Sequence, residues 1–484
     1  MHKRFVSNII ARVVLFVALV MLIPLAWGIF DDVHSREVGA FLITIISGII
    51  ISGIFLFVFQ IKKEDYKKIN AKDGLAIVGL SWIVLSFFGA FPLYLSGVVE
   101  TYTDALFEIA SGFTTTGSTI FTDIESLPRG ILFWRSLTHW LGGMGIIVLY
   151  IALLPALGTQ SSQLYKAEAP GLMVERVEPR IKETAKNLWA IYFLLSFLEV
   201  IFLMLCKMPL FDALCHTFGT MATGGFSTKN ASMGAYGANV QWVVLIFMVL
   251  AGVNFILHYQ FLRGHFKAPW KNEEFRFYIF IILILTPIFT IVLKLNTFSL
   301  QPFRESLFQI VSILTTTGYT TVNFNLWPTA LQVILVILMF LGGCGGSTGG
   351  GMKVIRFLLA IKVALCSIVQ AVFPNAILPV KFNGKALEDK LIMAVLSYFI
   401  IFILLFLFGA LLFSITESCD VVTALTASLS ALSNIGPGLG QVGAAENFAW
   451  ISSPGKWLLI FLMLAGRLEL YSILILFIPE TWKK

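Results

Sequence analysis

An all-α membrane protein with many spans, built largely from one unit repeated four times, is the fold this sequence predicts. Three observations carry the prediction: an apolar composition, runs of membrane-crossing length, and four shorter stretches that align without a gap. Of 484 residues, 58% are hydrophobic and 13% charged, with 44 Phe. The mean hydropathy of +0.88 lies outside the range of soluble globular chains.

Runs of about twenty apolar residues, enough to cross about 30 Å of hydrocarbon, recur from Val6 to Ile478. They predict helices near 6–30, 37–60, 74–97, 130–156, 187–206, 238–262, 275–295, 330–343 (continuing past a glycine cluster), 390–414 and 456–478. The first run reads as a retained span, because it is long, holds Arg12 and runs into acidic DDVHSREV with no small-residue cleavage site. Cys206, Cys215, Cys344, Cys366 and Cys419 lie in or beside apolar segments without metal-ligand spacing, so neither a disulfide framework nor a zinc site is indicated.

The net charge of +7 is concentrated in Ile61–Gly74, Lys166–Lys186, Phe261–Arg276, Lys353–Lys385 and the terminal WKK. These basic connections alternate with charge-poor or acidic ones such as Asp31–Val38. That is the pattern of a positive-inside topology with both termini cytoplasmic. It argues against a nucleic-acid surface.

Between alternate pairs of spans lie apolar stretches too short to cross: DALFEIASGFTTTGST from Asp104, DALCHTFGTMATGGFST from Asp212, ESLFQIVSILTTTGYTT from Glu305 and TALTASLSALSNIGPGLG from Thr423. Thirteen positions after each of these first residues stands a glycine: Gly117, Gly225, Gly318 and Gly436. Each following span carries Leu, then Gly or Ala, then Gly: Leu141-Gly142-Gly143, Leu250-Ala251-Gly252, Leu341-Gly342-Gly343 and Leu464-Ala465-Gly466. At these last sites close helix packing is the expected use of glycine. The unit is therefore span, short re-entrant helix, glycine loop, span. It divides the chain into two N-terminal spans (1–72) and units at 73–183, 184–270, 271–385 and 386–484.

A non-helical backbone in hydrocarbon survives only where protein covers it or water bathes it. Four such loops around one axis meet that condition by aiming carbonyls at an ion, which is the construction of a selectivity filter. The runs Thr114–Thr116 and Thr315–Thr317 favour extended backbone, and the glycine permits dihedrals that turn successive carbonyls to one side. Each short helix would point the negative end of its dipole inward, favouring a cation, with Asp104, Asp212 and Glu305 capping the opposite ends. Carbonyls rather than carboxylates suit a large monovalent cation, and Thr316–Tyr319 reads TTGY.

The fourfold repeat, ATGGFST, TTTGYTT, SNIGPGLG and the break LGGCGGSTGGGMK (341–353) together resemble the Trk/Ktr/HKT superfamily of potassium transporters, most closely its bacterial TrkH branch. The resemblance covers essentially the whole chain. It implies potassium uptake across the bacterial inner membrane, no cofactor, a homodimer, and a separate cytosolic nucleotide-binding partner of the TrkA type. It implies a filter of Thr115, Thr116 and Gly117; Thr223, Gly224 and Gly225; Thr316, Thr317 and Gly318; and Asn434, Ile435 and Gly436. In this superfamily a serine at the first of the four glycines marks sodium-preferring relatives, so Gly117 implies potassium.

The broken stretch suggests a gate: Gly345, Gly346, Gly349, Gly350 and Gly351 let the helix unwind beneath the filter, held by Arg467. That residue is a charge in mid-span that costs at least about 2.5–3.5 kcal/mol unless paired. In the repeat register Gly343 matches Gly466, which sets Cys344 and Arg467 at equal heights. A phosphate-binding loop is excluded, since Met352-Lys353 rather than Lys-Ser/Thr follows Gly351 and no strand precedes it. His139, His216 and His258 sit in separate units and read as satisfied packing residues; with neither HExxH nor GxSxG, an intramembrane hydrolase or metalloenzyme has little support. Arg135 and Lys229 read as interfacial anchors. Between a channel-like conductor and a symporter coupled to protons or sodium, the absence of ionisable residues from the four loops favours the conductor.

Overall fold

The computed structural model describes residues 2–61, 71–153, 181–296, 301–376 and 378–482. The basic stretches at 62–70 and 166–180 and the last two lysines lie outside the described residues. Two N-terminal spans, Lys3–Asp31 and Arg36–Val58, pack on each other and on the first span of unit 1, Ala71–Ser96. The opening spans of units 2, 3 and 4 are Ile181–Leu205, Glu273–Asn296 and Asp389–Thr416. The outward faces of these helices are apolar, as at Phe57, Leu283 and Ile415, which is what a lipid surround requires.

Each unit then holds a short helix: Tyr102–Phe113, Leu210–Met221, Pro302–Leu314 and Val421–Ser433, of 12 or 13 residues. At 1.5 Å per residue they run about 18–20 Å and stop partway through a bilayer. Beyond the helices, the described residues contain one antiparallel hairpin, β1 (Lys381–Phe382) and β2 (Lys385–Ala386), with Lys381 opposite Ala386 and Phe382 opposite Lys385.

Among the described residues the closing span is continuous only in unit 1, as Arg129–Leu153. In unit 3 it breaks as expected, between Thr329–Leu341 and Val354–Val372. Units 2 and 4 depart from the straight spans expected at 238–262 and 456–478. Ala238–Ala251 meets Phe255–Leu262 at 98°, and Ser453–Arg467 meets Tyr471–Phe477 at 119°. The first bend has local polar support, since Asn254 accepts from the Ile256 amide, and at the second the turn is made by Glu469 and Leu470 in positive φ.

The small residues before the breaks are packed as tightly as their sequence suggested, but unit 4 is one residue out of the expected register. A methyl group on Gly142 would lie 1.9 Å from the carbonyl oxygen of Phe113, and one on Gly466 would lie 1.9 Å from that of Leu432. Phe113 and Leu432 are equivalent positions of their short helices, so Gly466 answers to Gly142, not to Gly143. Arg467 then matches Gly143 of unit 1, one place earlier than the expected register put it.

These contacts predict that Gly142→Ala and Gly466→Ala push the closing span off its short helix, an overpacking cost of about 1–3 kcal/mol. The thermal-unfolding midpoint in detergent should fall for both. Gly39→Ala and Gly53→Ala, where nothing lies within 4 Å of the added carbon, should leave it unchanged.

Candidate functional site: a ring of four glycine loops above a buried break

All four short helices end in the same way. The amide just before each glycine of the repeat returns to the carbonyl five residues back: Thr116 to Ser111 (2.9 Å), Gly224 to Gly219 (2.7 Å), Thr317 to Ser312 (2.9 Å) and Ile435 to Ser430 (3.0 Å). The amide before it bonds three residues back, as Thr115 does to Gly112 at 3.0 Å and Thr316 to Ile313 at 3.1 Å. This pair of bonds is the Schellman closure, which normally puts glycine in the left-handed position. Here that position holds Thr115, Thr223, Thr316 and Asn434, with φ of 53°, 54°, 60° and 55°. For a β-branched residue this is strained by about 1–3 kcal/mol. Asparagine tolerates it better, which gives the departure of the fourth loop from threonine a conformational reason.

Two residues on, Gly117, Gly225, Gly318 and Gly436 return to positive φ, 79° to 101°. A backbone alternating in this manner turns its successive carbonyls to one side. The loops also close on one another. A methyl on Gly117 would lie 2.1 Å from the carbonyl oxygen of Gly224, one on Gly225 2.1 Å from that of Thr317, one on Gly318 1.9 Å from that of Ile435, and one on Gly436 2.7 Å from that of Thr116. Each contact reaches the residue just before the next unit's glycine, and the fourth returns to the first. The twelve residues expected at the filter are thereby brought together in one ring. The joint between the fourth and first units has additional bonds, from Asn434 Nδ2 to Thr116 Oγ1 (3.0 Å) and from Ser118 Oγ to the Gly436 carbonyl (3.3 Å).

Struts behind the ring went unrecognised in the sequence, although their signal is there. Four positions after the anchoring residue, three short helices carry Glu108, His216 and Gln309 in otherwise apolar surroundings. Glu108 accepts from Thr119 Oγ1 (3.0 Å) and the Ile120 amide (3.0 Å), His216 Nε2 meets Ser227 Oγ (3.0 Å), and Gln309 Nε2 donates to Thr321 Oγ1 (3.1 Å). Each ties the helix to the exit of its own loop. In the fourth unit Thr426 does this by accepting from the Leu439 amide at 2.9 Å.

Arg135 is not an interfacial anchor. It is buried, pairs with Glu108 at 2.6 Å and lies 4.3 Å from the Phe226 ring centroid. The reason is electrostatic: Glu108, 0% exposed, needs a countercharge, and the next span supplies it. Lys229 does lie at the surface, 3.3 Å from Glu125. Of the three histidines, His216 and His258 are partnered, the latter with the Leu250 carbonyl at 2.9 Å. Neither nitrogen of His139 has a partner among the described residues; its ring stands edge-on to Phe226.

Two of the three acidic residues expected to cap the short helices do other work. Thr101 is the cap of the first, accepting from the Asp104 amide, while Asp104 receives Lys456 Nζ at 2.6 Å. Asp212 accepts from Thr228 Oγ1 at 2.7 Å. All three acids stand in first turns, where the helix dipole favours them. The true acidic cap is Asp420, which accepts from the Val422 and Thr423 amides. The Thr423 hydroxyl, ahead of these amides, holds its carboxyl below the usual range.

Beneath the ring runs the break, Gly342–Lys353, almost wholly buried. Its tip touches the other parts of the ring. Thr348 Oγ1 donates to the Met221 carbonyl (2.9 Å), the Gly350 amide donates to Thr316 Oγ1 (2.7 Å), and a methyl on Gly350 would lie 2.3 Å from the Ser433 carbonyl oxygen. Arg467 Nη1 donates to the Thr348 carbonyl (2.6 Å) and Nη2 to that of Gly142 (3.0 Å), joining the break to unit 1. Lys353 Nζ folds back onto the Gly349 carbonyl. Arg467 and the glycines 345–351 are therefore neighbours, as the sequence suggested, despite the slipped register.

The fold that carries these loops is shared with known proteins. The family profile of TrkH, described as a cation transport protein, matches residues 39–484. The chain belongs to the TrkH family. The Trk system potassium uptake protein TrkH of Salmonella typhimurium is 40% identical, with 100% of each chain covered, and that of Escherichia coli K12 is equally similar. The E. coli potassium uptake protein TrkG is 34% identical over 100% of this chain and 99% of its own. The crystal structure of the potassium transporter TrkH from Vibrio parahaemolyticus superimposes with a TM-score of 0.90 at 36% identity, covering 100% of both chains. Membership of the TrkH family makes this a multi-pass membrane cation transport protein, not an enzyme, and implies no cofactor.

The buried pair behind the first loop predicts a large stability effect. Glu108→Ala leaves Arg135 charged and unpaired, at about 3–5 kcal/mol. Glu125→Ala, which breaks the exposed pair with Lys229, should cost about 0–1 kcal/mol. Thermal unfolding of the two variants in detergent compares them directly.

Proposed function

We propose that the chain takes up potassium across the inner membrane through a channel-like filter formed by the ring of Gly117, Gly225, Gly318 and Gly436, gated by the break beneath it. The observation that carries this reading is the closed circuit of glycine-to-carbonyl contacts, which leaves backbone oxygens rather than carboxylates to replace an ion's water. The relatives named above are potassium uptake proteins, and their likeness covers both chains from end to end. The filter set includes Thr115, Thr116, Thr223, Gly224, Thr316, Thr317, Asn434 and Ile435. The break, with Arg467 adding positive charge to its tip, closes the path on the side away from the short helices. In this reading the chain works as a homodimer with cytoplasmic termini, and a TrkA-type nucleotide-binding subunit on the basic face regulates it.

A symporter coupled to protons or sodium is the second reading. The observation in its favour is Glu199, within the span Ile181–Leu205: it is 0% exposed, and no basic side chain pairs with it among the described residues. Reversal potentials of the purified protein in bilayers separate the two. The conductor gives a reversal that follows the potassium gradient alone, with Gly117→Ser moving it toward the sodium potential because the added side chain meets the Gly224 carbonyl. A reversal that follows the pH or sodium gradient in the parent decides for the symporter.

The gate carries its own test. Arg467→Ala, or deletion within Gly345–Gly350, should raise potassium flux and lessen its dependence on the cytosolic subunit. Variants that fold normally and conduct no better than the parent place the gate elsewhere.

A further inference from the structure

Glu274 stands one residue into the span Glu273–Asn296 and is 2% exposed. One of its oxygens, Oε1, accepts from the Gly345 amide at 2.6 Å and from the Ile355 amide at 3.0 Å. These amides lie ten residues apart, one at the entry of the break and one in the first turn of the helix that leaves it. A single carboxylate oxygen thus ties the two ends of the loop together. Backbone bonds draw the same neck closed, from the Met352 amide to the Phe340 carbonyl (3.1 Å) and from the Val354 amide to that of Gly343 (3.0 Å). The neck bonds belong to the loop, and the Cys344 amide is held besides by the Gly252 carbonyl (2.9 Å); Glu274 is the side-chain acceptor that reaches both ends of the break from a different helix.

The residue beside it faces the other way. Glu273 pairs with Lys362, whose ammonium also donates to the Lys381 carbonyl at 2.7 Å. The Glu273 amide donates to Asn383 Oδ1 at 2.9 Å. Lys381 and Asn383 belong to the hairpin β1–β2, whose Asn383 and Gly384 form its turn. Phe382, 3% exposed, roots the hairpin in an apolar cluster with Ile355, Leu359 and Val395. Adjacent residues of one helical turn therefore grip the surface hairpin and the buried break.

We propose that Glu274 is a positioning residue that clamps the break closed, and that the hairpin β1–β2 is the handle that works the clamp. The proposal rests on reading the break as the gate. Moving the hairpin displaces Lys362 and Glu273, turns the first turn of the span and draws Glu274 off both amides. Those amides are then unpaired in a buried site, and they regain partners only by admitting water. The break is loosened from its neck while Arg467 still holds its tip.

Cys344, buried within the break at 1% exposure, reports its opening. The full-length protein in lipid vesicles is treated with a small membrane-permeant maleimide, alkylation of Cys344 is followed by mass spectrometry, and potassium flux is measured in parallel. Glu274→Ala, which removes the acceptor, should raise both the alkylation rate and the flux about tenfold. Glu274→Gln keeps an accepting oxygen and should stay within about twofold of the parent. Lys362→Met should raise alkylation in the parent background and add nothing in the Glu274→Ala background. Should Glu274→Ala not fold, Glu274→Asp, which withdraws the oxygen by one methylene, carries the same expectation. Cys344 as protected in these variants as in the parent overturns the clamp, and additive effects with Lys362→Met overturn the handle. The gate is judged separately: raised alkylation with unchanged flux keeps the clamp and removes the gate, whereas flux raised by Arg467→Ala with Cys344 still protected in Glu274→Ala keeps the gate and removes the clamp.

Discussion

Inside hydrocarbon a backbone amide or carbonyl has no water to turn to, and every interruption of helix in this chain is shaped by that demand. The short helices close their last carbonyls with their own following amides, which forces three threonines into a left-handed conformation they otherwise avoid. The bent span of unit 2 recruits Asn254 and His258 to tend exposed groups. The longest interruption, Gly342–Lys353, cannot be satisfied from within. It borrows Glu274 for its ends, Arg467 for its tip and the hydroxyl of Thr316 for one of its amides. The charges buried around it are thus required by its backbone, each one placed where a polar main-chain group would otherwise be unpaired.

Positions under two independent demands were the ones the sequence revealed. Each ring glycine must take a positive φ and also leave room for the next unit's carbonyl, so only glycine serves, and the thirteen-residue spacing stands out. The membrane spans were equally legible, because apolar length is a property of contiguous residues. What depends on a distant partner left a weaker mark. Arg135 looked like any arginine near a span end, since Glu108 lies 27 residues away and enters its surroundings only through the fold. The polar position shared by Glu108, His216 and Gln309 was present in the alignment, but it becomes meaningful only against the hydroxyls at the loop exits.

The bends after Ala251 and Arg467 were hidden for a related reason. Gly252 and Gly466 both suit a straight, closely packed helix, and nothing in composition separates a glycine that packs from one that ends a helix. The register slip of unit 4 follows from the same ambiguity: Ala465-Gly466 imitates Gly142-Gly143 in sequence, yet it is Gly466 that must lie on the Leu432 carbonyl. Glu274 escaped notice because an acid at the start of a span, within a charged connection, is accounted for by topology alone. Its function is visible only once the ends of the break are found beside it.

Among the described residues only unit 3 carries a loop of this kind beneath the ring, and geometry leaves room for no more than one. A segment that reaches across a central axis occupies space that its symmetry mates would claim, so four identical subunits could not each supply one without collision. Four quarters written into a single polypeptide escape that restriction. One quarter can give up its helix, another can carry a lone arginine to meet it, and a third can remain unbroken, without any change being copied fourfold. Covalent linkage of the repeats therefore allows a division of labour that a homotetramer with the same ring could not have.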